Sequence, residues 1–320
     1  MELTLRLFDY SPADYVTMAA IHNAIWPEHA DTPDDLQHWD TQKPAEHLRE
    51  RWIAEHDGVA VGLGQFFHAT TMYHPQRFYV YVQVPPAYQG RGIGTRLYDL
   101  ICARLAPHQP QVLRTDTRED QTATLRFIAR HGFVEEMRNW ESRLDVASFD
   151  PTPWAKYAAQ AAAHGITIKS LAELLPDGET FKRQHYEAQT AMVADVPFPD
   201  TFTPLPYEQW AEQVYNDPTL LPEGYFIAMH KGMIAGTSAL WRHSSDPTVL
   251  HTGLTATMRD FRRMGVATAL KLRAVAYAKA QGIREIRTYN ESNNRAMLNI
   301  NEAFGFVKQP AWIAFAKHLV

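Results

Sequence analysis

The sequence repeats once over a long distance, and this repeat constrains the fold more than any other feature. Gly92 in "QGRGIGT" and Gly265 in "RRMGVAT" lie 173 positions apart. The same offset relates further identical pairs: Thr95 and Thr268, Leu97 and Leu270, Thr115 and Thr288, Ala123 and Ala296, and the dipeptides Gly132-Phe133 and Gly305-Phe306. Because solenoid repeats have periods of only about 20–50 residues, this spacing indicates two copies of one domain.

A second repeated segment lies upstream of each glycine motif. The stretch "AEHDGVAVG" from Ala54 resembles "AMHKGMIAG" from Ala228 at an offset of 174. In both, short apolar runs flank a two-residue turn, which is Asp57-Gly58 or Lys231-Gly232. Such turns predict a β-hairpin in each copy.

Turn residues and apolar periodicity place the domain boundaries. We expect one domain over residues 1–147, a linker with an alanine-rich helix over 148–165, and a second domain over 166–320. In each copy we expect a strand and helices before the hairpin, then a strand, the glycine motif, a helix, a strand, a helix and a last strand. The last strands are predicted at 139–146 and 312–319, and a further helix is predicted at 45–50.

Composition narrows the partners and the location. The chain has 320 residues, a net charge of −5 and a pI near 6.3, so its overall charge favours neither nucleic acid nor an anionic membrane as a partner. Its one cysteine, Cys102, excludes a disulfide within the chain and a thiolate metal cluster, and we expect no metal site. No apolar run approaches the roughly 20 residues that span a bilayer. Residues 1–10 resemble a strand rather than a signal peptide, so we expect a cytoplasmic protein.

Each glycine motif follows a predicted strand and opens a predicted helix. Such a turn gathers unpaired backbone N–H groups and the positive end of the helix dipole, which bind anions and above all phosphates. A tight structural connection explains a single glycine-rich turn equally well. No Gly-Lys-Ser/Thr ending is present, which excludes a P-loop, and several elements precede the motif, which excludes a dinucleotide-binding fold.

The combination of motifs resembles the GNAT superfamily of acetyl-CoA-dependent N-acetyltransferases. The pattern is Gln/Arg-x-x-Gly-x-Gly/Ala after a strand, with a Gly-Phe pair 40 residues later, and it occurs in both copies. The resemblance covers nearly the whole chain and is similar in layout to two-domain acetyltransferases such as mycothiol synthase. It implies an α/β (α+β) fold of two tandem domains, each with a mixed, mostly antiparallel sheet flanked by helices.

The resemblance also implies a cofactor and its contacts. Loop N–H groups would hold the pyrophosphate of acetyl-CoA, and the amide of Val84 or Thr257 would face the thioester carbonyl. An N–H at that place stabilises a developing oxyanion by about 3 kcal/mol. Asn294 is a further cofactor candidate, although a helix N-cap explains it equally well. The candidate loop residues are Gln89, Gly90, Arg91, Gly92, Ile93, Gly94 and Thr95 in the first copy, and Arg262, Arg263, Met264, Gly265, Val266, Ala267 and Thr268 in the second.

The sequence offers only a few candidates for the catalytic acid and base. In histone-type members of the superfamily the base is a glutamate eleven residues before the loop motif, and here Phe78 and His251 occupy that position. His251 can accept a proton, since an ordinary histidine has a pKa of about 6.5, although a structural strand histidine is the commoner case. Asp195 is another candidate base, with a plain turn residue as the alternative. The usual acid is a tyrosine, replaced here by Ile128 and Asn301, of which Asn301 can hydrogen-bond the cofactor sulfur.

The sequence therefore predicts transfer of an acetyl group from acetyl-CoA to a primary amine of a small molecule or peptide. The second copy is the better candidate for catalysis, because the first lacks a polar residue at both catalytic positions. Two alternatives stay open. One is a non-catalytic acyl-CoA-binding or scaffolding protein, which the missing tyrosines favour, and the other is a nucleotide-binding regulator.

Overall fold

The computed structural model describes residues 3–319 and contains two compact units. The N-terminal unit consists of residues 3–138, Pro199–Thr203 and 312–319, and the C-terminal unit of Asn139–Phe198 and Pro204–Ala311. In each unit a mostly antiparallel sheet is flanked by helices, which confirms the predicted fold class. None of the described helices is long and apolar enough to cross a membrane.

The helices and strands follow one another in nearly the predicted order. They are β1 (Leu3–Leu7), α1 (Pro12–Ile25), α2 (Pro33–Thr41), β2 (Arg49–His56), β3 (Val59–Phe67), β4 (Arg77–Gln83), α3 (Ile93–Leu105), β5 (Val112–Arg118), α4 (Thr122–Arg130), β6 (Val134–Asp145), α5 (Ala155–Ala163), β7 (Thr167–Ser170), α6 (Leu171–Leu174), α7 (Gly178–Val193), α8 (Tyr207–Tyr215), β8 (Leu220–His230), β9 (Met233–Arg242), β10 (Val249–Thr257), α9 (Val266–Ala280), β11 (Glu285–Glu291), α10 (Arg295–Ala303), β12 (Val307–Lys308) and β13 (Trp312–His318).

The two sheets repeat one topology. The N-terminal unit has the strand order β1-β2-β3-β4-β5-β13, in which β4 and β5 are parallel and the other neighbours antiparallel. In the C-terminal unit the corresponding order is β7-β8-β9-β10-β11-β6. Here β6 contributes residues 139–145 and also pairs with β12. There the parallel pair is β10 and β11.

Each parallel pair opens after three residues. The last registered pair is Tyr79↔Arg114 between β4 and β5, and His251↔Arg287 between β10 and β11. All four strands continue beyond these pairs. The strands therefore leave an opening between their carboxyl-terminal halves.

The two predicted hairpins are present as β2-β3 and β8-β9. Both turn residues have positive φ in each case, with 50° and 77° at Asp57 and Gly58, and 47° and 82° at Lys231 and Gly232. Two successive residues of positive φ are typical of the type I′ turn, whose twist matches that of the flanking strands.

The glycine that ends each repeated hairpin segment has a packing role. A Cβ at Gly62 would lie 3.2 Å from Leu97 of α3, and one at Gly236 would lie 3.3 Å from Leu270 of α9. Both leucines are fully buried. Glycine at these positions lets the helix that follows each glycine motif lie directly on its sheet.

The structure groups the last strands differently from the sequence expectation. Residues 312–319 belong to the N-terminal unit because β13 pairs along its length with β5. Residues 139–145 belong to the C-terminal unit because they pair with β11. The expected ranges 1–147 and 166–320 therefore do not coincide with the units, since each unit takes one strand from the other half of the chain.

The alanine-rich linker helix is present as α5, but the helix predicted at 45–50 is wrong. Residues from Arg49 onward form β2. Trp52, Ile53 and Ala54 are buried in succession, because β1 and β3 flank this strand on both sides. A continuous buried run of this kind cannot be distinguished from a helix by periodicity alone.

Candidate active site

The N-terminal unit contains a cavity of about 760 Å³ where β4 and β5 separate. Trp26 and Trp39 contribute to its wall from the segment of α1 and α2, and Trp312 from β13. The predicted loop residues that line it are Val84, Gln89, Gly90, Gly92, Ile93, Gly94 and Thr95. The first glycine loop thus opens into a space that the polar and aromatic side chains of the strands also reach.

The loop at Gly92 has the geometry of an anion site. Gly90 and Gly92 have φ of 75° and 78°, in the left-handed region that favours glycine. Gly92 is the N-cap of α3, so the N–H groups of the first helical turn have no partner within the helix. Beyond the adjacent residues, no atom lies within 4 Å of a Cβ built at either glycine. The residues therefore fit a pyrophosphate held by backbone N–H groups.

The same side-chain brace fixes both loops to the strands that precede them. The Gln89 amide donates a hydrogen bond of 3.0 Å to the carbonyl of Val84. In the C-terminal unit, Arg262 Nε donates one of 3.2 Å to the carbonyl of Thr257. Gln and Arg can alternate at the first motif position because both reach this carbonyl with an N–H group.

The loop at Gly265 is covered. Gly265 caps α9 with φ of 79°, and Arg263 takes the left-handed conformation that Gly90 has in the other loop. A Cβ at Gly265 would lie 3.2 Å from Tyr157 and 3.3 Å from the side-chain oxygen of Gln160, both on α5. Side chains of α5 therefore occupy space beside Gly265 that stays open beside Gly92 in the other loop. Cofactor contacts at both loops and the preference for the C-terminal unit in catalysis, both expected from the sequence, stay predictions.

Asp195 lies beside the second loop but is engaged by arginines. Arg259 and Arg262 both donate hydrogen bonds to its carboxylate. These hydrogen bonds lower the pKa of Asp195 to about 2. A carboxylate with so low a pKa is a poor proton acceptor at neutral pH, which argues against its predicted role as a base.

His251 lies at the base of the opening between β10 and β11. Its ring stacks on that of His243, with ring centres 4.9 Å apart and 22° between the planes. His243 Nδ1 in turn accepts the N–H of Asp246 at 3.2 Å. Proton transfer by His251 stays a prediction.

The two asparagine candidates both belong to α10, one within the helix and one at its N-terminus. Asn301 is 1% exposed and donates a hydrogen bond of 2.6 Å to the side-chain oxygen of Asn290. Its own side-chain oxygen has no hydrogen-bond partner in the part of the chain that the structure describes. Asn294 is the N-cap of α10 and accepts the N–H of Met297 at 3.3 Å, so the structural alternative explains this residue.

The cavity also holds a polar pair that the sequence analysis missed. Tyr81 of β4 donates a hydrogen bond to the carboxylate of Asp116 of β5, and both lie two residues beyond the last registered pair of their strands. Burial raises the pKa of the Asp116 carboxyl and that of the Tyr81 hydroxyl. A carboxyl with a raised pKa in a cavity is a candidate proton acceptor. The parallel pairing of β4 and β5 brings these two positions together from 35 residues apart. A prediction of that register from the sequence would have identified the pair.

A histidine on α1 holds the end of β4. His22 Nδ1 lies 3.1 Å from the amide nitrogen of Gln83, and its Nε2 lies 3.3 Å from the carboxylate of Asp31. Burial raises the pKa of Asp31. Since Gln83 directly precedes Val84, these contacts position the strand end whose amide is the oxyanion candidate.

Comparisons with known proteins agree with this fold. The model of the acetyltransferase (GNAT) family matches the chain twice, at residues 15–133 and 188–306. A tandem GNAT protein from the clavulanic acid biosynthesis pathway is 17% identical over 99% of this chain and 98% of its own, with a TM-score of 0.75. A GCN5-related N-acetyltransferase from Sphaerobacter thermophilus is 19% identical over 99% and 95%, with a TM-score of 0.69. The sequence has no significant match among curated proteins.

Proposed function

Because this chain belongs to the acetyltransferase (GNAT) family, we propose that its N-terminal unit transfers the acetyl group of acetyl-CoA to a primary amine of a small molecule or peptide. The observation that carries the proposal is the contrast between the loops. The loop at Gly92 opens into the cavity, and the loop at Gly265 lies under α5. In this proposal the C-terminal unit is not catalytic.

Each polar group of the cavity then has a task. The N–H groups at the start of α3 would bind the pyrophosphate, and the Val84 amide would donate to the thioester carbonyl oxygen. When bound, acetyl-CoA supplies the acyl carbon that the amine attacks. Asp116 accepts the proton of the substrate ammonium, and Tyr81 holds the carboxylate in place. The new C–N bond would replace the C–S bond, the attacking nitrogen would lose its second proton to solvent, and solvent would protonate the departing thiolate.

Thiol release from acetyl-CoA with a panel of primary amines tests the proposal. Gly92→Glu places a carboxylate in the open loop, and we expect at least about a 100-fold loss of kcat/KM from like-charge repulsion. Gly58→Glu is the matched control, because Gly58 has φ of 77° and equally open surroundings but lies in the turn between β2 and β3. Gly265→Glu should also keep its activity. Melting temperatures establish that the variants fold.

Three outcomes would contradict the proposal. Full activity in Gly92→Glu would show that this loop is not used. Loss of activity in Gly265→Glu alone would move catalysis to the C-terminal unit. Cofactor binding without thiol release from any amine would favour the non-catalytic acyl-CoA-binding alternative.

A further inference from the structure

Lys43, Asp40 and Arg51 line the N-terminal cavity, and Arg49 lies beside Asp40. Lys43 follows α2, while Arg49 and Arg51 lie on β2. The carboxylate among them is that of Asp40, which accepts two hydrogen bonds from Arg51 and one of 2.9 Å from Tyr15. Arg49 Nη1 lies 3.5 Å from the same carboxylate. Both arginines therefore contact the Asp40 carboxylate, and Lys43 is a third cation near them.

Lys43 is the cation in this group without an anionic partner. Within residues 3–319 its ammonium group makes no hydrogen bond and no ion pair, and it lies 4.1 Å from the centre of the Phe67 ring. Burial and the neighbouring charge of Arg51 lower the pKa of Lys43 to about 8. A half-buried cation that faces a cavity gains from an anion brought by a ligand, because that anion replaces the lost hydration.

The same cavity wall ends in a carboxylate without a cation. Asp116 accepts its hydrogen bond from Tyr81, and no cation of the described residues donates to it. Tyr81 stacks on Phe67 with ring centres 5.8 Å apart and 15° between the planes. Along this wall, a cation and an anion are thus separated by two aromatic rings, in the order Lys43, Phe67, Tyr81 and Asp116.

We infer that the acceptor amine of this unit also carries a carboxylate. Its ammonium group faces Asp116 and its carboxylate faces Lys43, while its body lies on the two rings between them. The substrate class is an amino-acid-like zwitterion whose ammonium and carboxylate groups are held apart by an apolar spacer, which is an aromatic ring or an alkyl chain of similar length. This inference rests on the proposed function, since it names the substrate class of the same site.

Amines that differ only in this carboxylate test the inference. The matched pairs are 4-(aminomethyl)benzoate and its amide, 4-(2-aminoethyl)benzoate and its amide, and 5-aminopentanoate and its amide. Thiol release from acetyl-CoA by the full-length protein gives kcat/KM for each compound. We expect at least one acid to be preferred over its amide by about tenfold or more.

Variants of the lysine then locate the source of the preference. Lys43→Met should bring the ratio of acid to amide close to one, and Lys43→Arg should keep most of it. Lys169→Met, on an exposed position of β7, should leave the ratio as it is in the unaltered protein.

Failure of the inference and failure of the proposed function give different results. Equal rates with acid and amide in all three pairs, or a preference that survives in Lys43→Met, would overturn the inference and leave acetyl transfer in place. Absence of thiol release with every amine would remove the proposed function and the inference with it.

Discussion

The Asp116 carboxyl has a raised pKa because β5 places it in the wall of the cavity where β4 and β5 separate. It lies beyond the last pairing of β5 with β4, and the described residues provide the Tyr81 hydroxyl but no cation as its hydrogen-bond partner. Burial disfavours the charged form and raises the pKa of this carboxyl, while the hydrogen bond from Tyr81 offsets part of that effect. The residue can therefore accept a proton more readily than an ordinary aspartate.

We predict that Asp116→Asn lowers kcat/KM roughly 10²–10⁴-fold, the usual contribution of a positioned base. In the unaltered protein, the proton-accepting form is lost as pH falls through the raised pKa. The acid limb of the pH profile should therefore lie above the value of about 3.9 of an ordinary aspartate. Asp195→Asn is the control and should keep both rate and profile. An unchanged acid limb in Asp116→Asn would contradict the assignment.

A second single-residue prediction concerns stability in the C-terminal unit. His185 is fully buried between the hydroxyls of Tyr215 and Tyr225, and burial lowers its pKa from 6.5 to about 4. The unfolded chain therefore binds a proton near pH 6.5 that the folded chain resists. The stabilisation present above pH 6.5 should fall as the pH decreases, by about 2 kcal/mol at pH 5.

Urea unfolding at several pH values measures this effect. His185→Gln should flatten the dependence of stability on pH between 7 and 5, whatever its absolute stability. His164→Gln, at an exposed position after α5, should leave the slope unchanged. Equal slopes in all three proteins would rule out His185 as the source.

At the scale of elements, α5 decides which loop is open. The helix is anchored: Trp154, just before it, packs with its ring 4.7 Å from that of Phe304, and Ala161 is buried. Tyr157 and Gln160 are thereby held over Gly265. A linker helix thus closes one of two loops that have the same backbone geometry.

The covered loop predicts one acetyl-CoA site per chain, which titration calorimetry measures directly. Gly92→Glu should abolish this site. A double variant, Tyr157→Ala with Gln160→Ala, removes the cover and should add a second, weaker site. Two equal sites in the unaltered protein would contradict the prediction, as would one site that survives Gly92→Glu.

At this scale, structure formed by neighbouring residues could be predicted from the sequence, and contacts between residues far apart in the chain could not. The glycine loops and hairpins follow from neighbouring residues, as the turn Asp57-Gly58 shows. The cover over Gly265 comes from Gln160, 105 positions away. No local periodicity records such a contact, so the preference for the C-terminal unit, which rests on His251 and the other polar positions, does not take it into account.

The candidate base shows the same limit. In the sequence, Asp116 is one of several charged residues close together, and Tyr81 is one of several aromatic residues in its strand. Neither position therefore indicates the other. Their meeting depends on the parallel register of two strands and on the point where those strands part. In the N-terminal unit the family resemblance predicted the loop but could not supply a base, because the buried Phe78 occupies the position that usually holds it.

At the scale of the whole molecule, the exchange of strands makes each unit depend on both halves of the chain. β13 pairs with β5 and contributes Ile313 and Phe315 to the buried core of the N-terminal unit. A chain of residues 1–147 lacks this strand and leaves the edge of β5 unpaired. Exposed edges of this kind promote association between chains.

We therefore predict that residues 1–147 expressed alone aggregate or unfold, although the sequence repeat suggests a complete domain. Co-expression with residues 148–320 should recover soluble, folded protein if the two pieces assemble. Size-exclusion chromatography and circular dichroism measure the outcome. A monomeric, cooperatively folded 1–147 fragment would contradict the importance of β13.

The pairing of β13 with β5 also delays the completion of the N-terminal sheet during synthesis on the ribosome. β13 begins 194 residues after β5 ends, and at about 5–20 residues per second this is a wait of roughly 10–40 s. During that time the N-terminal half has been made, but its sheet edge is open and its cavity lacks the wall that Trp312 provides. In the proposed function, the unit that is synthesised first therefore becomes catalytically competent only after β13, near the end of the chain, has been made.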